Sequence, residues 1–276
     1  MKSSRTAGTS ALLHGVLLLL ALATLAPLLW MVSASFMPEG EANTEPPHLV
    51  PSHPTLEHYE ELFTRLDLGR QLSNSLLLAT SVTLISLLFN SMAGYAFAKL
   101  RFPGRDRLFG LLLAAMVIPA QVAMLPLFLL LKNLGLVNTY WGVIVPGLAS
   151  ILGIFLMRQY ALSVPEELLD AARIDGAGEF RIFWNVVLPL CRPVLVTLAL
   201  FQFLNTWNDF MWPLIVLTDD SRYTLPVALA NLSGEHVLDT ELMMAGAVLT
   251  TLPVLLLFLF LQRQYIAGIT MGGIKE

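Results

Sequence analysis

Apolar and polar positions along this chain come in long blocks rather than in fine alternation. Apolar stretches, interrupted only by scattered small, polar or proline residues, cover 11–33, 72–98, 108–131, 140–157, 194–217 and 241–262. About 20 predominantly apolar residues carry a helix through roughly 30 Å of hydrocarbon. Blocks of this length predict spans that face lipid, not the one-sided stripe of a soluble helix. The fold class is an all-α membrane protein, a bundle of six transmembrane helices. A cleaved signal peptide competes for the first block, but its apolar core normally covers only about 7–15 residues, so an uncleaved span is expected.

Interruptions within the blocks predict local shape. Pro119, Gln121 and Pro126 fall inside the third, which is expected to bend where neighbouring helices satisfy the freed carbonyls. Asn90 and the hydroxyl residues of the second are expected to face other helices. The loop at 36–70 is acidic and proline-rich, and Thr55 to Phe63 reads as a short helix capped by Thr55. A second acidic loop covers 218–240.

The longest charged insert lies at 158–193. Ser163-Val164-Pro165-Glu166 has the spacing of a capping box, and Glu166, Glu167 and Asp170 sit where a helix dipole favours negative charge. Gly176, after Asp175, reads as the helix stop. The helical pattern restarts over Phe180 to Val187, and Pro189 is expected to break it. A helix, a glycine turn and a second short helix near the membrane surface are predicted. The residues alone admit two uses: an amphipathic connector lying at the interface, or a water-facing surface gripped by another protein. Ala171 and Ala172 are small enough for something to pack closely over them.

Composition agrees with lipid as solvent. Of 276 residues 56% are hydrophobic and 13% charged, with a mean hydropathy of +0.70; a soluble domain carries about 25% charged residues. A net charge of −4 gives no electrostatic case for nucleic acid, and the lone Cys191 excludes an intrachain disulfide. Charge placement orients the chain. Lys2, Arg5, Lys99, Arg101, Arg105, Arg107, Arg158, Arg173, Arg181, Arg192, Arg263 and Lys275 fall on one side of a six-span layout. Arg65, Arg70, Lys132 and Arg222 fall on the other. The positive-inside rule then makes both termini cytoplasmic. The layout is a cytoplasmic N-terminus at 1–10, a transmembrane domain at 11–266 and a cytoplasmic tail at 267–276. Loops 36–70 and 218–240 lie outside and loop 158–193 inside.

Catalytic motifs are missing. No G-x-x-x-x-G-K-[ST] phosphate loop and no H-E-x-x-H helix occurs, and Gly176-Ala177-Gly178 follows no strand. The chain is expected to bind no cofactor and to be no enzyme. Asn205, Asn208 and Asp209, with Gln121, are candidates for the path of a hydroxyl-rich substrate. Trp207 and Trp212 are open to two readings, stacking on a sugar ring or sitting in an interfacial aromatic belt. Asp209 equally admits a structural bond within the bundle. His48, His53 and His58 recur every five residues, a weak metal pattern better read as exposed loop histidines.

The segment Asp170-Ala171-Ala172, then Asp175-Gly176-Ala177, then Leu188-Pro189 resembles the "EAA" loop of ABC importer permeases. That family has Glu-Ala-Ala, three residues, Gly, nine residues, a hydrophobic residue, one more, and Leu-Pro. Gly176, Val186, Leu188 and Pro189 keep the register, while Asp170 stands where the family has Glu. Asn74-Ser75, Pro119-Ala120-Gln121, Pro126-Leu127-Phe128, the run Leu134 to Tyr140, and Trp207 to Phe210 with Trp212-Pro213-Leu214 are similar to its carbohydrate-uptake branch. The resemblance implies a bacterial or archaeal cytoplasmic-membrane permease with a coupling helix made from Glu166, Glu167, Asp170, Ala171, Ala172, Asp175, Gly176, Ala177, Leu188 and Pro189. It implies a partner ATPase pair using ATP and Mg, a second homologous permease and an external solute-binding protein delivering a sugar. An ion-gradient-driven secondary transporter of a small polar solute is the alternative.

Overall fold

The computed structural model describes residues 3–64, 67–235 and 239–273, with no strand among them. Lys2, Arg65 and Lys275 of the charge pattern lie outside the described residues. Fourteen α-helices follow one another: α1 (Ser3–Ala34), α2 (Glu57–Thr64), α3 (Leu68–Lys99), α4 (Arg105–Ala115), α5 (Ala120–Asn133), α6 (Tyr140–Ile144) and α7 (Ile151–Leu162). Then come α8 (Glu166–Ile174), α9 (Glu179–Ile182), α10 (Leu188–Leu190), α11 (Arg192–Trp207), α12 (Met211–Val216), α13 (Leu225–Glu235) and α14 (Thr240–Gly273).

Four stretches are long and apolar enough to cross a membrane: Leu12–Ala34, Leu68–Lys99, Tyr140–Leu162 and Thr240–Gln262. Two bent pairs would raise the number to six if each were a single span. α4 and α5 meet at 103°, and Glu179–Leu190 meets α11 at 81°. The first bend falls at Pro119, which caps α5, while Pro126 stays inside that helix. The fifth expected span is shorter than its apolar block, because α11 ends at Trp207 and α12 starts anew at Met211. The expected tail from 267 is helical through Gly273.

The chain divides into two compact units. Met1–Leu68 with Leu229–Pro253 make the first. In it Glu241, fully buried at the start of α14, accepts from the Ala42 amide at 2.7 Å. Thr55 accepts from the Glu57 amide at 3.2 Å, opening α2 as its sequence predicts. His58 corrects the reading of three exposed loop histidines: it is buried, with Nε2 2.9 Å from the Met37 carbonyl. No cluster of three metal-type ligands occurs among the described residues.

Gly69–Ala228 with Val254–Glu276 make the second unit. Its axis is α3. Asn90 of α3 donates from Nδ2 to Ser150 Oγ at 3.3 Å and accepts from the Ser150 amide at 2.9 Å, joining α3 to the N-terminus of α7. Glycine makes this approach possible. A Cβ on Gly153 would lie 2.3 Å from Asn90 Nδ2, and one on Gly94 would lie 2.6 Å from Met157 Cβ. Helices in lipid gain from such close packing because no hydrophobic drive holds them together.

A seam of polar bonds closes the other end of α3. Buried Asn74 accepts from Tyr140 OH at 2.7 Å and donates to the Ser221 and Tyr223 carbonyls, both at 3.0 Å. Ser75 Oγ accepts from the Leu225 amide at 2.7 Å. Asn138, at a φ of +58°, accepts from the Thr218 and Asp219 amides at 3.1 and 3.2 Å. Arg222 donates to its carbonyl. Trp212 Nε1 donates to the Gly142 carbonyl at 3.1 Å.

Candidate functional site

The segment from Ser163 to Cys191 forms the predicted helix, glycine turn and second helix, with one correction at its start. Ser163 is no N-cap. It is helical, ends α7, and its hydroxyl donates to the Tyr160 carbonyl at 2.7 Å. Pro165 precedes α8 without a side-chain cap. The fixed φ of proline starts the helix without a hydroxyl acceptor, and Glu166 and Glu167 occupy the first turn.

The end of α8 explains the Ala-x-x-x-Gly spacing. Gly176 sits at φ +80°, its amide donating to Arg173 O at 3.0 Å, while the Ala177 amide reaches back to Ala172 O at 2.9 Å. These two bonds are a Schellman closure, which needs a left-handed residue at this place. A side chain there meets no atom within 4 Å. The requirement for glycine is therefore conformational, at about 1–2 kcal/mol for an L-residue. Ala172 and Ala177 pack against the core under the loop, where Leu169 is fully buried.

Pro189 acts differently from the expected break. It removes one backbone donor, and the turn before it widens into a π-helix over Phe183–Val187, the Leu188 amide donating to Phe183 O. The break itself comes at Cys191. Leu188 packs on the same core, which holds Tyr95, Ala98, Met157, Ala161, Val164, Ile182, Phe183, Val187 and Cys191.

Charged side chains tie the loop to α3. Lys99 Nζ, on a side chain only 3% exposed, donates to Val164 O at 2.6 Å and to Glu166 Oε1 at 3.0 Å. Arg173 binds Asp170 at 2.8 Å and Glu179 at 2.9 Å, and Tyr95 OH binds the second Glu179 oxygen at 2.5 Å. The Arg173 hydrogen bond first, and the Tyr95 bond second, hold the Glu179 carboxyl below its ordinary pKa. Lys99, Leu100, Arg101, Phe102, Glu166, Asp170, Arg173 and Glu179 line a recess of about 710 Å³.

Grease faces outward on the same loop. Ile174 is 86% exposed, Phe180 67% and Leu168 45%. Glu167, Asp170, Ala171, Asp175 and Gly176 are exposed beside them. Apolar side chains next to charges on one small loop offer a docking face.

The other candidates are scattered. Asn205 and Asn208 are exposed at the end of α11, and Asn208 Nδ2 donates to Leu204 O at 2.9 Å. Asp209 lies in the break after α11 and accepts from the Trp212 amide at 3.3 Å, the bond that starts α12. Gln121 is exposed on the first turn of α5. Trp207 and Trp212 correct both readings offered for them. Each is buried, Trp207 stacking on Phe203 at 5.7 Å, so neither presents a face to a sugar or to the interface. Tyr95, Lys99 and Glu179 were missed as site residues because their meeting spans 65 to 84 positions in sequence.

A helical chain with four to six membrane-length stretches and one charged, glycine-turned loop tied to its long helix is an all-helical membrane protein that presents one charged loop. Known proteins agree. With the arabinooligosaccharides transport system permease protein AraQ of Halalkalibacterium halodurans it is 44% identical over 252 residues, 90% of each chain. With the diacetylchitobiose uptake system permease protein NgcG of Streptomyces coelicolor it is 33% identical over 283 residues, 99% of this chain and 93% of the relative. A chain of a bacterial ABC transporter involved in the import of the acidic polysaccharide alginate matches with a TM-score of 0.82 at 25% identity, covering 95% of this chain and 98% of that one. Residues 90–270 match the binding-protein-dependent transport system inner membrane component, and the chain belongs to that family. It is a permease subunit and not an enzyme, with ATP hydrolysis in a separate chain. Membership sets aside the ion-gradient alternative.

Proposed function

We propose that this permease moves a sugar or oligosaccharide, delivered by an external binding protein, and that the Glu166–Pro189 loop seats it on a cytoplasmic ATPase. The exposed apolar triad Leu168, Ile174 and Phe180, on a loop that Glu166 and Glu179 tie back to α3, carries the docking reading. The sugar class rests on the relatives, whose names specify arabinooligosaccharides, diacetylchitobiose and lactose. The relatives' substrates differ, so the class is proposed rather than one sugar.

In this reading both termini and loop 158–193 face the cytoplasm, which the twelve basic residues on that side support. Loops 36–70 and 218–240 face the binding protein. Nucleotide and Mg bind a pair of ATPase chains, and a second homologous permease completes the pore. Ala171, Asp175, Gly176 and Glu167 meet the ATPase directly. Glu166, Asp170, Ala172, Ala177, Leu188 and Pro189 shape the loop that presents them. Asn205, Asn208, Asp209 and Gln121 line the sugar's path. A transport cycle requires partners that bind the two states of the pore with different affinity.

Proteoliposomes holding this chain, its partner permease and the ATPase test the proposal, with the cognate binding protein and oligosaccharides added outside. Uptake should require ATP and the binding protein and survive a proton ionophore. Uptake driven by an ion gradient without ATP would contradict it.

A further inference from the structure

One side chain of the loop, Glu179, holds two elements at once. Glu179 spends its carboxylate oxygens separately: Oε1 on Arg173 of α8 at 2.9 Å, Oε2 on Tyr95 of α3 at 2.5 Å. Arg173 is the neighbour of Ile174, the most exposed apolar residue of α8. Its guanidinium is held on a second side by Asp170 at 2.8 Å. Both bonds are charge-assisted, the stronger and more directional kind. A second tie, Lys99 to the Val164 carbonyl at 2.6 Å, fixes the entry of the loop but does not touch the turn of α8 that carries Ile174.

On the far side of Tyr95 the chain is stiff. α3 is one unbroken helix from Leu68 to Lys99. It carries Asn90, bonded to the start of α7, and Asn74, bonded to the residues before α13. From Tyr95 to Asn74 is 21 residues, about 31 Å at 1.5 Å per residue. A displacement entering at Tyr95 thus meets bonds to neighbouring elements at Asn90 and again at Asn74.

We propose that Glu179, held between Arg173 and Tyr95, is the positioning residue through which movement of α8 is passed to α3. The inference rests on the docking reading above. It goes further in assigning the path by which a docked loop moves the spans. Asp170 then has a use of its own: its carboxylate, shorter than the glutamate of the resembling pattern, reaches Arg173 within the same helix and keeps that guanidinium aimed at Glu179. Physical coupling of this kind needs a contiguous network with a testable energetic link, not proximity alone.

The test uses Tyr95→Phe in the complete transporter in proteoliposomes. The substitution removes one hydroxyl, cuts the α3 half of the link and leaves the Arg173 half in place. The readout is ATP consumed per sugar imported, alongside ATPase recovery with the complex and thermal stability. The expected result is ATPase recovery as in the unaltered protein, a slightly lower melting temperature from the one lost hydrogen bond, and about tenfold more ATP consumed per sugar. An unchanged ratio overturns the proposal. So does loss of the ATPase from the complex, because Tyr95 would then hold the loop together and transmit nothing. Ile174→Asp in the same assay separates the two ideas. If it retains the ATPase and imports normally, the docking reading fails by itself, whatever Tyr95→Phe does.

Discussion

At the start of α3, buried Asn74 joins Tyr140, Ser221 and Tyr223, while at its end Tyr95 and Lys99 hold the loop before α11. Both ends are rich in polar bonds, and both carry residues of the resembling pattern. In the seam Asn74, Ser75 and Tyr140 point inward and find partners there, and the neighbouring Trp212 is buried with its ring nitrogen satisfied. In the loop Glu166 and Glu179 also bond inward, but Leu168, Ile174 and Phe180 are left outside. A polar network that ends on itself is a joint. One that holds an apolar face out to water is a seat awaiting a partner.

The sharpest way to break the contrast is to damage the joint. Asn74→Ala leaves the Tyr140 hydroxyl and two carbonyls without their partner. It should cost on the order of 2 kcal/mol, read as a lowered melting temperature in detergent. ATPase recovery from whatever stays folded should be unaffected. A melting temperature equal to the unaltered protein's would remove the seam's structural role.

The next effect lies at the seat. Ile174→Asp, on a residue 86% exposed, should leave the melting temperature unchanged. It should lower co-purification of the ATPase about tenfold, equivalent to roughly 1.4 kcal/mol. Equal loss of stability and of docking would erase the distinction between the two regions. Gly176→Ala comes third. With no atom near its Cβ, the substitution pays only for a φ of +80°, about 1 kcal/mol. Reduced ATPase binding with nearly normal melting is the expected pair of results.

Acid gives the smallest and most local effect. Hydrogen bonds from Arg173 and then Tyr95 hold the Glu179 carboxyl below its ordinary value. Its contribution is therefore complete above the usual glutamate pKa of about 4.3 and is lost as pH falls through the depressed folded value. Limited proteolysis should find the loop equally protected at pH 7 and pH 5, with cleavage appearing only below about pH 4. Cleavage rising between pH 7 and pH 5 would mean that another group governs the loop.

Blocks of apolar residues foretold four membrane-length stretches, because a length of about 20 residues is a direct consequence of bilayer thickness, whereas the third and fifth blocks are broken into separate helices. The glycine turn was legible too, since φ +80° at Gly176 is a local requirement written in one residue type. The Ser163 capping box was misleading: the spacing was correct, yet Ser163 caps the C-terminus of the preceding helix and bonds back to Tyr160. Pro189 showed that a proline can widen a turn instead of ending it when the break is taken up at Cys191. The Tyr95–Glu179 bond and the burial of Trp207 and Trp212 depend on residues far apart in sequence meeting in space. No periodicity or spacing reports such meetings.

The most direct test of the central claim is a cross-link from the seat itself. Cysteine placed by Ile174→Cys, in membranes holding the assembled transporter, is labelled with a short thiol-reactive photo-cross-linker and irradiated. The account predicts a covalent adduct with the ATPase chain, and none when the cysteine is placed instead by Leu84→Cys, on the exposed surface of α3. An ATPase that remains bound and active, with no adduct from position 174, would show that it sits elsewhere.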